Sequence, residues 1–193
     1  MYKIGFIDYF LDEWHAEHYP EWIKTASDGK FEVVYAYGDV EPELEGKRTN
    51  AEFCKDHGLE LCETIDEVVE KSDCLILLAP DHPQEHLRLA QETITTSKPI
   101  FIDKTFANTE EEGRQIFELA EAQKAPMYST SALRYSSAYD SWDEVEDGAQ
   151  IISMGPGEPK QYSIHQIEPL IAKLQKRAKR VMAYLDDPHE TGQ

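Results

Sequence analysis

The sequence predicts an α/β protein, a doubly wound parallel sheet followed by a remnant of a second α+β domain, with the boundary placed between residues 135 and 136 of 193. Three observations carry this. Strand-like and helix-like segments alternate from the start, the pattern that builds a parallel sheet covered on both faces. The run Cys74–Ala79 is apolar on both faces, as a strand buried from two sides must be. After Arg134 the alternation gives way to a polar, acidic stretch and then to isolated elements that could not bury a sheet face by themselves.

Taken in order, Lys3–Ile7 reads as the first strand and Asp12–Ala26 as a helix stopped by the Asp28-Gly29 turn. Phe31–Tyr37 is the second strand, and a helix near Asn50–His57 ends at Gly58. Leu59–Cys62 is a brief strand, after which Thr64 and Glu67 have the spacing of a capping box. Cys74–Ala79 is the next strand. Pro83 suits the first turn of a helix running to about Thr95, where its missing N–H costs nothing. Pro99–Ile102 is a strand, Thr109 with Glu112 caps a helix to Gln123, and Pro126–Tyr128 is a last strand of the series. Beyond it come Gln150–Met154, a Gly-Pro-Gly turn, an amphipathic helix from about Ile164 to Gln175, a short strand Arg180–Tyr184 and a polar tail from Asp187.

Composition excludes several classes of function. A formal charge of −19 opposes nucleic acid and anionic membranes, whose binding depends on lysine and arginine releasing counterions. The acidic groups at Glu110–Glu112 and Asp143–Asp147 read as solvated surface. Three cysteines, Cys54, Cys62 and Cys74, form no CxxC pair, so neither a disulfide framework nor a thiolate metal site is expected. With no apolar run long enough to span a bilayer and no signal pattern at Met1–Phe6, a cytoplasmic protein is expected.

Four motifs then occur in order: Ala79-Pro80-Asp81 with His86 five residues on, Asp103-Lys104-Thr105, Ser131-Ala132-Leu133-Arg134-Tyr135, and Tyr162-Ser163-Ile164-His165-Gln166-Ile167-Glu168. Together they resemble the TPNxxH, EKP, NRR/F and GxHxxD patterns of the glucose-fructose oxidoreductase and inositol dehydrogenase family (Gfo/Idh/MocA), over nearly the whole chain. The resemblance implies an NAD(P)-binding Rossmann fold, an NAD or NADP cofactor, and hydride transfer at a hydroxyl of a sugar, cyclitol or similar small molecule. It implies that Lys104 contacts nicotinamide and substrate and that His165 is the acid/base group. An ammonium polarises a hydroxyl, and an imidazole accepts its proton near neutral pH. The cofactor contacts it implies fall at Asp8, Phe10, Leu11, Asp39, Pro80, Asp81, His86, Lys104 and Arg134.

Three departures from the family stand beside these motifs. Where a GxGxxG turn should follow the first strand, the chain has Asp8-Tyr9-Phe10-Leu11-Asp12-Glu13, placing side chains and negative charge where a pyrophosphate would approach a helix N-terminus. As part of the same departure, Gly38 stands where an acidic, ribose-binding residue often ends the second strand, with Asp39 beside it. Gln161 occupies the position, four residues before His165, of an aspartate in many of the family's dehydrogenases, for which Glu168 is at most a partial substitute. The third departure is the family's large C-terminal sheet, here almost wholly missing, so a truncated second domain is expected. A contrasting expectation is a non-catalytic binding module that self-associates through an unpaired sheet edge, and either way a homo-oligomer is expected. No metal is expected. In His82-Pro83-Gln84-Glu85-His86, an HxxEH pattern, Pro83 puts His82 at the cap, and Asp12, His15 and His18 read as part of an aromatic-lined helix end, packed or ligand-facing, with Trp14, Tyr19 and Trp22. No GxSxG elbow or Walker motif is present.

Overall fold

The computed structural model describes residues 1–140 and 150–182, with the backbone alone at 160 and 161. The chain divides into two compact units, Met1–Ser131 and Ala132–Gln193.

The first unit alternates strand and helix: β1 (Tyr2–Asp8), α1 (Trp14–Ala26), β2 (Phe31–Gly38), α2 (Asn50–His57), β3 (Glu60–Leu61), α3 (Ile65–Lys71), β4 (Cys74–Leu77), α4 (His86–Thr93), β5 (Ile100–Ile102), α5 (Glu110–Gln123) and β6 (Met127–Tyr128). The six strands form one sheet in the order β3-β2-β1-β4-β5-β6, every neighbouring pair parallel. The chain therefore winds outward from β1 in one direction and restarts at β4 in the other. This leaves a crevice beyond the carboxyl ends of β1 and β4, where ligands of open α/β sheets bind.

Side chains alternate between two cores. Ile4, Phe6, Val33, Ala36, Ile76 and Leu78 pack with Ala16 of α1 and Phe53 of α2 on one face. Ile7, Tyr35, Leu75, Leu77, Ile100 and Ile102 pack with Val68 of α3, Leu89 of α4 and Ile116 of α5 on the other. Two-sided burial is why these strands read as continuous apolar runs.

Local chemistry fixes the ends. Thr49 with Glu52, and Thr109 with Glu112, close reciprocal capping boxes on α2 and α5, and Gly58 ends α2 in the left-handed conformation at φ 66°. At α3 only half a box forms: Thr64 accepts from the Glu67 N–H, while the Glu67 carboxylate accepts from the N–H of Glu63. Pro83 opens a 3₁₀ turn, Pro83–Glu85, that leads into α4. The apolar run from Cys74 leaves the ladder after Leu77, because Ala79 turns the chain at φ 54°.

The second unit contains 3₁₀ turns at Ala132–Tyr135 and Ser137–Tyr139 and one long helix, α6 (Pro159–Leu174), which packs on the first of these turns. The helix starts earlier than the sequence suggests, since Pro159 is its first residue, and Pro169 lies inside it. Gln150–Met154 and the described part of the expected last strand, Arg180–Met182, are irregular. The rest of that strand, the acidic group Asp143–Asp147 and the polar tail lie outside the described residues. Among the described residues no helix is long and apolar enough to cross a membrane.

Gly5 is the tightest point of the sheet: a Cβ there would sit 2.3 Å from both Val68 Cγ1, midway along α3, and Ser72 Oγ, just beyond its end. Neither short side chain can swing clear, so Gly5→Ala is expected to lower unfolding free energy by about 1–3 kcal/mol in urea denaturation. An unchanged midpoint would contradict this packing.

Candidate functional site

The crevice is organised by Asp8, the last residue of β1. Its Oδ1 accepts the N–H of Tyr9 at 2.7 Å and of Ala79 at 3.0 Å, so one carboxylate oxygen ties the turn after β1 to the turn after β4. Oδ2 is buried without a hydrogen-bond partner. Burial, reinforced by the charge of Glu13, drives the Asp8 carboxyl well above the usual carboxylate range, against the opposing pull of the two N–H donors.

In the turn that follows, the N–H groups of Tyr9, Leu11 and Glu13 are already taken. Leu11 is wholly buried among the core residues of α1 and α2, and its N–H is accepted by Asn50 Oδ1 at 2.9 Å. Asn50, in the first turn of α2, also donates Nδ2 to the Val40 carbonyl at 2.8 Å. Its amide fills the space over Gly38, where a Cβ would approach it to 2.5 Å. Phe10 lies edge-on to His82, which stacks on Tyr9 with ring centres 4.3 Å apart, and Lys47 Nζ stands 5.9 Å from the Phe10 ring.

At the start of α1, Glu13 is the N-cap. Its carboxylate accepts the N–H of His15 at 2.7 Å and of Ala16 at 2.6 Å. Asp12 is bound by Arg48 through Nε at 3.1 Å, Nη2 at 2.6 Å and the backbone N–H at 2.9 Å. Burial alone would raise the Asp12 carboxyl, but Arg48 outweighs it and holds it below its ordinary value. The expected cluster of bare negative charge is thus corrected. Asp12 is neutralised by Arg48, which also pairs with Glu17, and Glu13 is spent on its own helix. What confronts a phosphate here is occupancy of the N–H groups more than open repulsion.

Asp39, beyond β2, is likewise engaged. It receives the Arg88 guanidinium and the Tyr37 hydroxyl, the latter at 3.3 Å, and its own N–H donates to the Asp8 carbonyl at 3.0 Å.

The far wall comes from β5. Asp103 follows it directly and is 1% exposed. Lys104 Nζ at 3.7 Å and His15 Nε2 at 3.8 Å converge on its Oδ2, and the Tyr19 hydroxyl reaches Oδ1 at 3.5 Å. Oδ2 nevertheless lacks a hydrogen bond. Burial raises the Asp103 carboxyl, opposed by His15 and Lys104, and burial also raises the Tyr19 phenol. His15 bridges two carboxylates, since its Nδ1 lies 3.2 Å from Glu13. The sequence marks His15 and Tyr19 as part of a packed or ligand-facing helix end but does not tie them to Asp103. Only the packing of α1 against the end of β5 does so.

His86 is fully buried, its Nε2 2.6 Å from the Leu78 carbonyl and its Nδ1 3.0 Å from that of Phe106. Burial lowers its proton affinity despite those two carbonyls. It is a strut between the turns after β4 and β5 rather than a surface for a ligand. Pro80 is buried in the first of those turns, and Asp81 beside it is exposed. The HxxEH pair is therefore split, with His82 stacked on Tyr9 and His86 between carbonyls. Asp12, His15 and His18 also diverge: Nδ1 of His18 lies 2.7 Å from the Trp14 carbonyl. Among the described residues no three metal-ligating side chains converge.

The remaining expected residues belong to the second unit. Arg134 donates to Glu168 at 3.3 Å and lies over the Tyr135 ring. His165 is on α6 with its ring 5.9 Å from that of Tyr162. The Gln161 side chain lies outside the described residues.

No protein-family profile and no curated protein sequence matches the chain. Solved structures do. A dehydrogenase (MviM) from Clostridium difficile is 20% identical with a TM-score of 0.52, covering 69% of this chain and 39% of its own. An NAD-binding protein from Listeria innocua is 18% identical with a TM-score of 0.57, covering 72% and 37%. An oxidoreductase from Thermotoga maritima is 17% identical with a TM-score of 0.58, covering 74% and 41%. The chain shares their Rossmann-type α/β fold and spans about two-fifths of their length.

The Asp8 environment has a pH signature. A carboxyl whose folded pKa is raised binds more protons folded than unfolded, so its contribution to stability falls as pH rises from the ordinary value of about 4 toward the raised one. Asp8→Asn keeps an oxygen for Tyr9 and Ala79 and removes that loss. Its melting temperature relative to the native chain is expected to rise between pH 4 and pH 8, and a pH-independent difference would contradict the burial argument.

Proposed function

We propose that the chain belongs to the Gfo/Idh/MocA group of oxidoreductases and serves hydride transfer at a hydroxyl of a sugar, cyclitol or similar small molecule, with NAD or NADP as cofactor. The observation that carries this reading is the constellation beyond β5, where Lys104 and His15 converge on buried Asp103 in the crevice of a dehydrogenase-like sheet. The shared fold and the four ordered motifs support it.

Asp103 Oδ2 is a buried acceptor in want of a donor, and a hydroxyl or carboxamide supplies one. Lys104, its side chain 13% exposed, is held beside that carboxylate with its ammonium available to polarise a hydroxyl oxygen. On the family resemblance alone, His165 of α6 is proposed as the acid/base group, with Glu168 one turn further along the same helix. The cofactor supplies the hydride acceptor. A dinucleotide fits the donor set at the nicotinamide end and does not fit at its pyrophosphate, where Glu13, Asn50 and Asp8 already hold the N–H groups. Of the remaining residues, Phe10, Asp39, Pro80, Asp81 and Arg134 are proposed as further contacts, and Leu11 and His86, both fully buried, as supports that position the turns around the cofactor. The second unit is proposed as part of the substrate domain, and exposed Ile152, Met154, Val181 and Met182 support a homo-oligomer.

Calorimetric titration and thermal melting of the chain with NADH and NADPH test this reading. Heat and protection at millimolar concentration are expected with at least one of them, and neither with both would overturn it. With a panel of sugars and cyclitols, Lys104→Met is expected to lower kcat/KM about a hundredfold or more, in the range that loss of one polarising group produces.

A further inference from the structure

We infer that Glu13 is a built-in occupant of the pyrophosphate seat, an internal anion that a dinucleotide must displace; this rests on the cofactor reading above and adds a regulatory contact to it. Three features support it. First, Glu13 caps α1 with both carboxylate oxygens, Oε1 on the Ala16 N–H at 2.6 Å and Oε2 on the His15 N–H at 2.7 Å, donors that in a glycine-rich turn would face a phosphate. Second, the carboxylate is not a loose surface cap. Its side chain is 9% exposed and is held further by His15 Nδ1 at 3.2 Å, whose other nitrogen faces buried Asp103. Third, three neighbouring donors are taken as well, because Tyr9 and Ala79 give their N–H groups to Asp8 and Leu11 gives its own to Asn50.

The charge balance points the same way. Arg48 is committed to Asp12 and Glu17, and Lys47 donates to the Asp12 carbonyl at 2.5 Å. An incoming pyrophosphate therefore meets an anion already on the helix and a neighbouring guanidinium already shared between two carboxylates. Affinity for a competing anion falls by the factor needed to expel the internal one. Glycine at an N-cap costs a helix only a few tenths of a kcal/mol, so the seat can be opened without dismantling α1.

The test compares the native chain with Glu13→Gly, which empties the seat, and Glu13→Gln, which keeps an acceptor but removes the charge. Each is titrated calorimetrically with inorganic pyrophosphate and with NADH, and folding is checked by circular dichroism. Glu13→Gly is expected to bind both probes at least tenfold more tightly than the native chain, with Glu13→Gln showing a smaller gain. If pyrophosphate binding tightens and NADH binds to no variant, the internal-anion inference stands and the cofactor reading falls. Unchanged affinity for both probes in folded Glu13→Gly overturns the inference. Should Glu13→Gly not fold, Glu13→Gln decides: at least a threefold gain for pyrophosphate supports the inference, and no gain overturns it.

Discussion

The acceptance of two N–H groups by one oxygen of Asp8 is the interaction on which the crevice depends. β1 and β4 are neighbours in the sheet but far apart in sequence, and the turns that leave them must part to make a site. By taking Tyr9 from one turn and Ala79 from the other, Asp8 fixes how far they part. The left-handed conformation of Ala79 presents its N–H to that carboxylate. In a glycine-rich turn, backbone flexibility and an incoming phosphate would share this work. Here a buried carboxyl does it, at the cost of an oxygen that finds no donor.

The rest of the site follows the same logic. Side chains hold groups that would otherwise stand open in the crevice: Asn50 the Leu11 N–H, Glu13 the first turn of α1, Arg88 the Asp39 carboxylate. Such bonds keep buried backbone groups paired in the absence of ligand, as they must be. They also tighten the crevice at its α1 end while leaving Asp103 Oδ2, on its β5 wall, without a hydrogen bond. The contrast between a filled end and a wanting end is the main electrostatic fact about this protein.

How much of this was legible in the sequence depends on range. The strands and helices of the first unit read well because their signals are local: the reciprocal boxes at Thr49 and Thr109, Gly58 after α2, Pro83 at a helix start. The start of α6 is hidden because Pro159, its first helical residue, lies ahead of the amphipathic stretch that signals the helix. Glu13 gave no warning as a cap, since glutamate is not among the preferred N-cap residues. The neutralisation of Asp12 depends on Arg48, and that of Asp39 on Arg88, partners brought close only by the folded sheet. Asp103 was visible as part of a motif, whereas His15 and Tyr19 became its neighbours only through the packing of α1. The sequence could show which residues interrupt the glycine pattern, but not that they satisfy each other.

Amide hydrogen exchange of the ligand-free chain tests this account most directly, because amides in a first helical turn and an open phosphate loop ordinarily lack partners and exchange fast. The Tyr9, Leu11, His15 and Ala16 amides are expected to exchange at least tenfold more slowly than unstructured peptide, each protected by its side-chain acceptor. Exchange of these four at the unprotected rate, with the β1 and β4 ladders still protected, would contradict the claim that this chain fills its own phosphate seat.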